Sequence, residues 1–383
     1  MSWIKNLVDT YDACKDTVGI CNDNQATMLL PLGHLLTELN VIVYLKSDGT
    51  PYKVEKVKSS TKKLVCIPCT DESESRTSTN AIDYPHPLVD QIKYLSTQKY
   101  LNNLKKWMDY LRDNPKFLLA YQAIAVVYYY MVKGILLNDL KTFQINVKDD
   151  MVTGFCVSLD NSVEDRLWMM PELREAWIDF YRSEDIAKRE TQDICYITGN
   201  NSTYTEKHPK SINRVSGNAK LITGNDDKNF TFRGRFEEPS QAVTVSYEAS
   251  QKAHQTLRWL ISRPSCYRCG SQAIIAWAID SKPDVPRFYD DSYNIYDTVA
   301  QTDEEKITIA ENTICIDYAN ALKKAISGYG TSRRLRKHIR RIAIMATDTT
   351  TKKAGRMSVT YYRELSENEY EERIDHWHNT CKW

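Results

Sequence analysis

Residues 229–263 read NFTFRGRFEEPSQAVTVSYEASQKAHQTLRWLISR. The segment opens as a short alternating stretch holding Phe230, Phe232, Arg233, Arg235 and Phe236, and it closes as an amphipathic helix, Tyr247–Ile261. Ser246 is placed to cap the helix and Pro264 to stop it. Ala253, Leu257 and Leu260 share an inward stripe, while Lys252, Gln255 and Arg258 fall on another. Aromatics interleaved with arginines are suited to touching both the bases and the phosphates of a nucleic acid. Core burial would explain each phenylalanine, and packing is their assignment. It does not explain Arg233 and Arg235, which are assigned to phosphate. No acid, base and nucleophile accompany them, so the segment reads as part of a binding surface.

Toward the C-terminus a helix from about Ile309 ends near Gly328, followed by TSRRLRKHIRR (331–341). Between Ala321 and Arg363 there are twelve Lys/Arg and one acid, Asp348, whereas Glu364–Asp375 carries six acids and one arginine. The net charge of +1 therefore hides a local basic block, the footprint of an anion site. Its plainer reading is a solvated helix face. Ile342–Ala346 and Met357–Arg363 are expected as a β-hairpin around a loop holding Lys352 and Lys353, with Arg356 at its end. A final helix starts with a capping box, Ser366 and Glu369, and its apolar stripe is Tyr370, Ile374, Trp377 and Cys381.

Toward the N-terminus, residues 2–18 form a helix with Trp3, Leu7, Tyr11 and Cys14 on one face. A β-meander follows: Asn40–Leu45, a turn at Ser47–Gly49, Tyr52–Val57, and Leu64–Pro68. Cys69–Pro87, CTDESESRTSTNAIDYPHP, reads as a loop too long to be a mere connection. Its small hydroxyl and amide residues beside Arg76 suit a sugar–phosphate backbone, and a mobile surface loop is the equal alternative. Residues 88–138 are helical, with a broad apolar face in Phe117–Val132. Thr142–Lys148 and Val152–Leu159 are expected to pair through Asp149 and Asp150. A further helix follows to about Ala187, then short strands and loops in which Lys207, His208, Lys210 and Arg214 cluster. Ala273–Ile279 reads as a buried strand. The fold class is α+β: an N-terminal meander with helices, a central mixed α/β region, and a C-terminal hairpin plus helix. The expected divisions are 1–90, 91–190 and 191–383.

Hydrophobic residues make up 42% of the chain and charged residues 26%, an ordinary globular composition with length enough for two or three cores. The longest uncharged run, Phe117–Val132, is sixteen residues and includes Gln122 and three consecutive tyrosines, short for a membrane span. With no hydrophobic leader core at the start, a soluble cytoplasmic protein is expected. Ten cysteines at irregular spacing do not form a disulfide framework. Two Cys-x-x-Cys pairs, Cys66/Cys69 and Cys266/Cys269, lie too far apart in sequence for a compact zinc ribbon and are read as ordinary thiols. His376 and His378 are two apart and share no helical face. No phosphate-binding glycine loop and no zinc-deaminase signature occurs. No catalytic set, cofactor or metal is expected.

Several stretches together resemble the large subunit of the type I-C CRISPR surveillance complex, Cascade. They are LLPLGH (29–34), IPCTDESESRTS (67–78), PHPLVDQIKYL (85–95), CYITGNNSTYTEKHPK (195–210), FTFRGRF (230–236), VSYEASQKAHQTLRWLI (245–261), AGRMSVTYYREL (354–365) and EYEERIDHWHNTCKW (369–383). Their order and spacing cover essentially the whole chain. The resemblance implies a non-catalytic subunit that recognises the short PAM in duplex DNA, assists R-loop formation, holds the displaced strand and provides a platform for a recruited helicase–nuclease. Its implied partners are guide RNA, target DNA, the Cascade backbone subunits and a small subunit. Sequence reading itself belongs to guide pairing. The family pattern continues past the position of Trp383 into a helical region like the small subunit. That region is absent here, either cut away or supplied separately. Cys266 and Cys269 depart from the pattern, which weakens the zinc reading further.

Carried onto this sequence, the PAM contact is expected from Thr70, Arg76, Thr77, Ser78 and Asn80. Displaced strand or guide RNA is expected to meet Arg233, Arg235, Lys252, Arg258, Arg333, Arg334, Arg336, Lys337, Arg340, Arg341, Lys352, Lys353 and Arg356. Two other classes remain open: a metal-dependent nuclease, for which clustered carboxylates are not visible, and a structural scaffold with a basic face.

Overall fold

In the computed structural model the described residues are 2–20, 25–58, 63–76, 81–160, 162–215, 217–223, 243–281, 285, 340–349 and 356–380. In chain order the elements are α1 (Trp3–Ala13), β1 (His34–Leu39), β2 (Val41–Lys46), β3 (Pro51–Lys56), β4 (Lys63–Pro68), α2 (Asp71–Ser75), β5 (Asp90–Gln91), α3 (Ile92–Leu95), α4 (Gln98–Leu111), α5 (Leu118–Val132), α6 (Leu136–Thr142) and β6 (Val152–Ser158). Then come α7 (Pro171–Glu184), β7 (Gln192–Ile194), β8 (Asn201–Thr203), α8 (Tyr247–Ser262), β9 (Tyr267–Cys269), β10 (Gln272–Ala278), β11 (Arg341–Thr349), β12 (Met357–Ser366) and α9 (Glu367–Thr380). The fold is α+β. The chain forms two units, one of Thr17–Lys210 with Ile222–Gln255, the other of Met1–Asp16, Ser211–Leu221 and Thr256–Trp383.

The first unit is built on a four-stranded sheet of order β3-β2-β6-β5. β2 pairs antiparallel with β3 and parallel with β6, placing Val43 opposite both Val54 and Phe155. A strand flanked this way must be apolar on both faces, and Val41, Ile42, Val43 and Leu45 are all buried. The helical layer brings Leu104, Trp107, Phe117, Tyr130 and Trp177 into the same core. Trp107 and Trp177 meet edge-on at 5.0 Å. Among the described residues no single helix is long and apolar enough to cross a membrane.

Two expectations about this sheet are corrected. The first two meander strands do form a hairpin, but the third, β4, leaves it to pair antiparallel with β1. Val65, Cys66 and Ile67 are each buried, so β4 has apolar neighbours on both faces that a solvent-faced meander would not supply. The expected pairing of Thr142–Lys148 with Val152–Leu159 does not occur. Thr142 ends α6, Gln144 takes a positive φ of 59°, and the Ile145 amide returns to the Leu140 carbonyl at 2.9 Å. That turn satisfies a helix-end carbonyl, and Ile145 and Val147 then pack as loop residues against the core.

The second unit holds an antiparallel sheet of order β12-β11-β10-β9. The hairpin of β11 and β12 is as expected, longer at both ends and bulged at Ala346/Thr347. Buried Trp277 on β10 donates its indole N–H to Thr10 Oγ1 of α1 at 2.9 Å. The capping box of α9 forms: Ser366 N–H donates to Glu369 Oε2 at 2.8 Å, and Glu369 N–H to Ser366 Oγ at 3.3 Å. Tyr370 and Ile374 pack on Ile342 and Leu365. Trp377, expected on the same stripe, is instead 56% exposed, and Cys381 lies outside the described residues.

Candidate nucleic-acid interface

The segment expected to be a loop after Cys69 begins with a helix. Thr70 caps α2 through a reciprocal pair: Ser73 N–H donates to Thr70 Oγ1 at 3.0 Å, and Thr70 N–H donates to Ser73 Oγ at 2.9 Å. The cap points the first residue, Asp71, into the protein, where it is 2% exposed. Its carboxylate accepts from Arg189 Nη1 and Nη2 at 2.8 and 3.0 Å, from the Tyr181 hydroxyl at 2.8 Å and from the Thr205 hydroxyl at 2.8 Å. Burial opposes ionisation, but the Arg189 guanidinium and the other donors outweigh it and hold the carboxyl well below the usual carboxylate range. Glu72, next in sequence, shifts the other way, through burial first and its hydrogen bond with Asp71 second.

Arg76 ends α2 and does not face outward. Its Nη1 and Nη2 meet Asp90 Oδ2 and Oδ1 at 2.7 and 2.6 Å, and Nη1 also donates to the Tyr84 carbonyl at 2.9 Å. The guanidinium lies 4.9 Å from the centre of the Tyr94 ring, and the side chain is 13% exposed. Lys210 donates to the Arg76 carbonyl. Asp90 in turn accepts the His86 amide at 2.7 Å, and His86 Nδ1 meets Ser73 Oγ at 3.0 Å. Arg76 and Tyr84 are thus tied to one braced site. Arg76 braces that site, its guanidinium engaged by Asp90 and the Tyr84 carbonyl. Thr70 likewise spends its hydroxyl on the cap.

At this site stands a set that sequence reasoning missed. The half-buried Tyr84 ring has Lys207 Nζ at 5.0 Å and Lys99 Nζ at 5.6 Å from its centre. Lys207 also lies 3.6 Å from the half-buried Glu72 carboxylate. Lys99 comes from α4, Tyr84 from the stretch before β5, and Lys207 from the stretch after β8. Lys207 and Lys210 belong to a basic cluster in the sequence, but nothing local ties them to Lys99 or Tyr84. Two ammonium groups gathered over one ring, that of Lys99 exposed, can take phosphates.

The other expected contacts divide. Thr77, Ser78, Asn80, Arg233, Arg235, Arg333, Arg334, Arg336, Lys337, Lys352 and Lys353 lie outside the described residues, as do the phenylalanines of 230–236. On α8, Ser246 Oγ accepts from the Ala249 amide at 3.2 Å, the cap expected, and Ala253, Leu257 and Leu260 are buried. Lys252 pairs with Glu248 at 2.9 Å and Arg258 is half-buried. Gln255 does not join their stripe: it is buried and donates to the His34 carbonyl at 2.8 Å. Its neighbour Gln251 donates to buried Glu74 at 3.0 Å, so this turn of α8 satisfies polar groups of α2 and β1. Arg340 donates to Ser281 Oγ at 2.9 Å and lies 3.7 Å from Glu367. Arg341 grips Asp280 at 2.6 and 2.8 Å, and its hydrogen bonds hold the Asp280 carboxyl low. Arg356 is exposed at the start of β12. Cys66, Cys69 and Cys266 are buried. No group of three or more His, Cys, Asp or Glu among the described residues could hold a metal ion.

A family model described as CRISPR-associated protein (Cas_Csd1) matches residues 7–383. The chain belongs to that family. Cas_Csd1 membership makes it a CRISPR-associated Cascade subunit, in agreement with the stretches quoted above. A search of curated proteins finds no match. Two of the Cas_Csd1 chain's stretches, 67–78 and 195–210, converge on Asp71: the first supplies the carboxylate and the second supplies Thr205. They also carry Arg76 and Lys207, the residues that brace and line the Tyr84 site.

Proposed function

We propose that this chain is the non-catalytic large subunit of a type I-C Cascade, acting in the cytoplasm, and that it meets PAM duplex DNA at the Tyr84 site. The observation that carries the reading is the placement of Lys99 and Lys207 about the Tyr84 ring, whose backbone carbonyl Arg76 holds. The lysines supply sequence-independent phosphate affinity. Thr77, Ser78 and Asn80 supply the short polar side chains that read groove edges. Arg76 moves in this account from contact to support. Family membership supports assembly with Cascade backbone subunits. A small subunit, guide RNA and a recruited helicase–nuclease complete the proposed partners.

Displaced strand or guide RNA is assigned to Arg233, Arg235, Arg333, Arg334, Arg336, Lys337, Lys352, Lys353 and Arg356. Arg340 and Arg341 are removed from that set because Arg340 bonds Ser281 beside Glu367 and Arg341 is held by Asp280 through two nitrogens. Lys252 and Arg258 support the path on α8. The test is a gel-shift comparison of the assembled, guide-loaded complex on PAM and non-PAM duplexes. Tighter binding of the PAM duplex is expected; equal binding of the two contradicts the proposal.

A further inference from the structure

Lys99 and Lys207 approach the same ring but stand in different surroundings. Lys99 Nζ is 5.6 Å from the centre of the Tyr84 ring, and among the described residues no carboxylate pairs with it. Lys207 Nζ is 5.0 Å from that centre and 3.6 Å from Glu72 Oε1. The second distance is an ion pair too long for a hydrogen bond, so charge holds the ammonium there and no directed contact does.

The backbone of Lys207, by contrast, is fixed. Its amide donates to Thr205 Oγ1 at 3.1 Å, and that hydroxyl donates to Asp71 Oδ2 at 2.8 Å. Asp71 and Glu72 therefore act on one lysine from opposite ends. Buried Asp71, through Thr205, sets where the main chain lies, and half-buried Glu72 takes the ammonium. Arg189, the other cation near Glu72, lies 3.9 Å away and is bonded to Asp71 and Asp185. Burial and the adjoining Asp71 carboxylate work against the Glu72 charge, while Lys207 works for it. A phosphate that draws Lys207 away thus competes with a carboxylate that is stabilised by it.

We propose that Glu72 is an internal counter-anion for Lys207, displaced by a DNA phosphate, so that the Tyr84 site is partly self-neutralised until duplex arrives. This rests on the reading of the Tyr84 site as a DNA interface. Engagement is an exchange of one anion for another: the Lys207 side chain turns from carboxylate to phosphate on a fixed backbone. Lys99 meets phosphate without such an exchange. Glu72 in this way restrains the affinity of the site.

The test is a double-mutant cycle on PAM-duplex affinity, measured by fluorescence anisotropy with the assembled, guide-loaded complex at low ionic strength. Glu72→Gln keeps the size and removes the charge, and it is expected to tighten binding about two- to fivefold, the range of a solvent-accessible ion pair. In a Lys207→Gln background that gain is expected to vanish. Glu206→Gln makes the same charge change on an exposed neighbour of Lys207 and is expected to give less. Glu72→Asp, which draws the carboxylate back by one methylene, should tighten binding by a smaller factor and serves if Glu72→Gln fails to fold. Unchanged or weaker binding by a folded Glu72 variant overturns the proposal. So does a gain that persists undiminished without Lys207, or one that Glu206→Gln equals, since either reports only the general field of an acid. If Lys207→Gln weakens binding while the Glu72 variants change nothing, the counter-anion falls and the DNA interface stands. If Lys207→Gln has no effect either, both readings fall.

Discussion

Arg76 holds Asp90 with both guanidinium nitrogens, at 2.6 and 2.7 Å, and so ties the end of α2 to the start of β5. Asp90 is 1% exposed, and the same guanidinium reaches the Tyr84 carbonyl. Removing one member of such a pair strands a buried charge, which costs about 3–5 kcal/mol. Arg76→Ala is therefore expected to lower the urea midpoint by a corresponding amount, and Asp90→Asn to do the same in smaller measure. Equilibrium unfolding followed by circular dichroism checks this. A midpoint within error of the wild type would show the pair to be incidental.

Acid sensitivity follows from groups held in one protonation state. Burial is the main cause that lowers His34 and His86 from 6.5 to about 3. Their folded pKa lies below the unfolded one, so their contribution is fully present above about pH 6.5 and declines toward pH 3. Each loses on the order of 1–2 kcal/mol between pH 7 and pH 5. Asp71, also depressed, holds its contribution until the pH falls below the ordinary carboxylate range. Stability should thus fall in two stages on acidification. His86→Gln is expected to flatten the upper stage and Asp71→Asn the lower. A urea-midpoint profile from pH 7 to about pH 2 reads both; a flat profile down to pH 4 contradicts the histidine assignment.

Within α9 two aromatic or aliphatic residues on one presumed stripe should behave differently. Ile374 is buried against Ile342 and Leu365, while Trp377 is exposed. Ile374→Ala should destabilise by about 2–5 kcal/mol, and Trp377→Ser should stay within about 0.5 kcal/mol. Similar losses from both would place Trp377 in a packed environment.

What the sequence made legible was local. The Ser246 and Ser366/Glu369 caps need only neighbours a turn away, and the β11–β12 hairpin needs only two alternating runs. The partners of β4 and β6 depend on strands distant in the chain, and no local pattern records them. TFQINV has strand-like alternation, yet the end of α6 and the adjoining core claim it. Arg76 read as available because Asp90, fourteen residues away, shows no sign in sequence of facing it. Tyr84, Lys99 and Lys207 come from three separate segments and become a site only when α4 and the stretch after β8 are in place.

The most direct measurement of the central claim is the salt dependence of PAM-duplex binding by the assembled, guide-loaded complex carrying Lys99→Gln and Lys207→Gln. The account predicts weaker binding and a slope of log affinity against log salt reduced by about 1 per lysine. Unchanged affinity and slope, with the subunit folded and assembled, would contradict it.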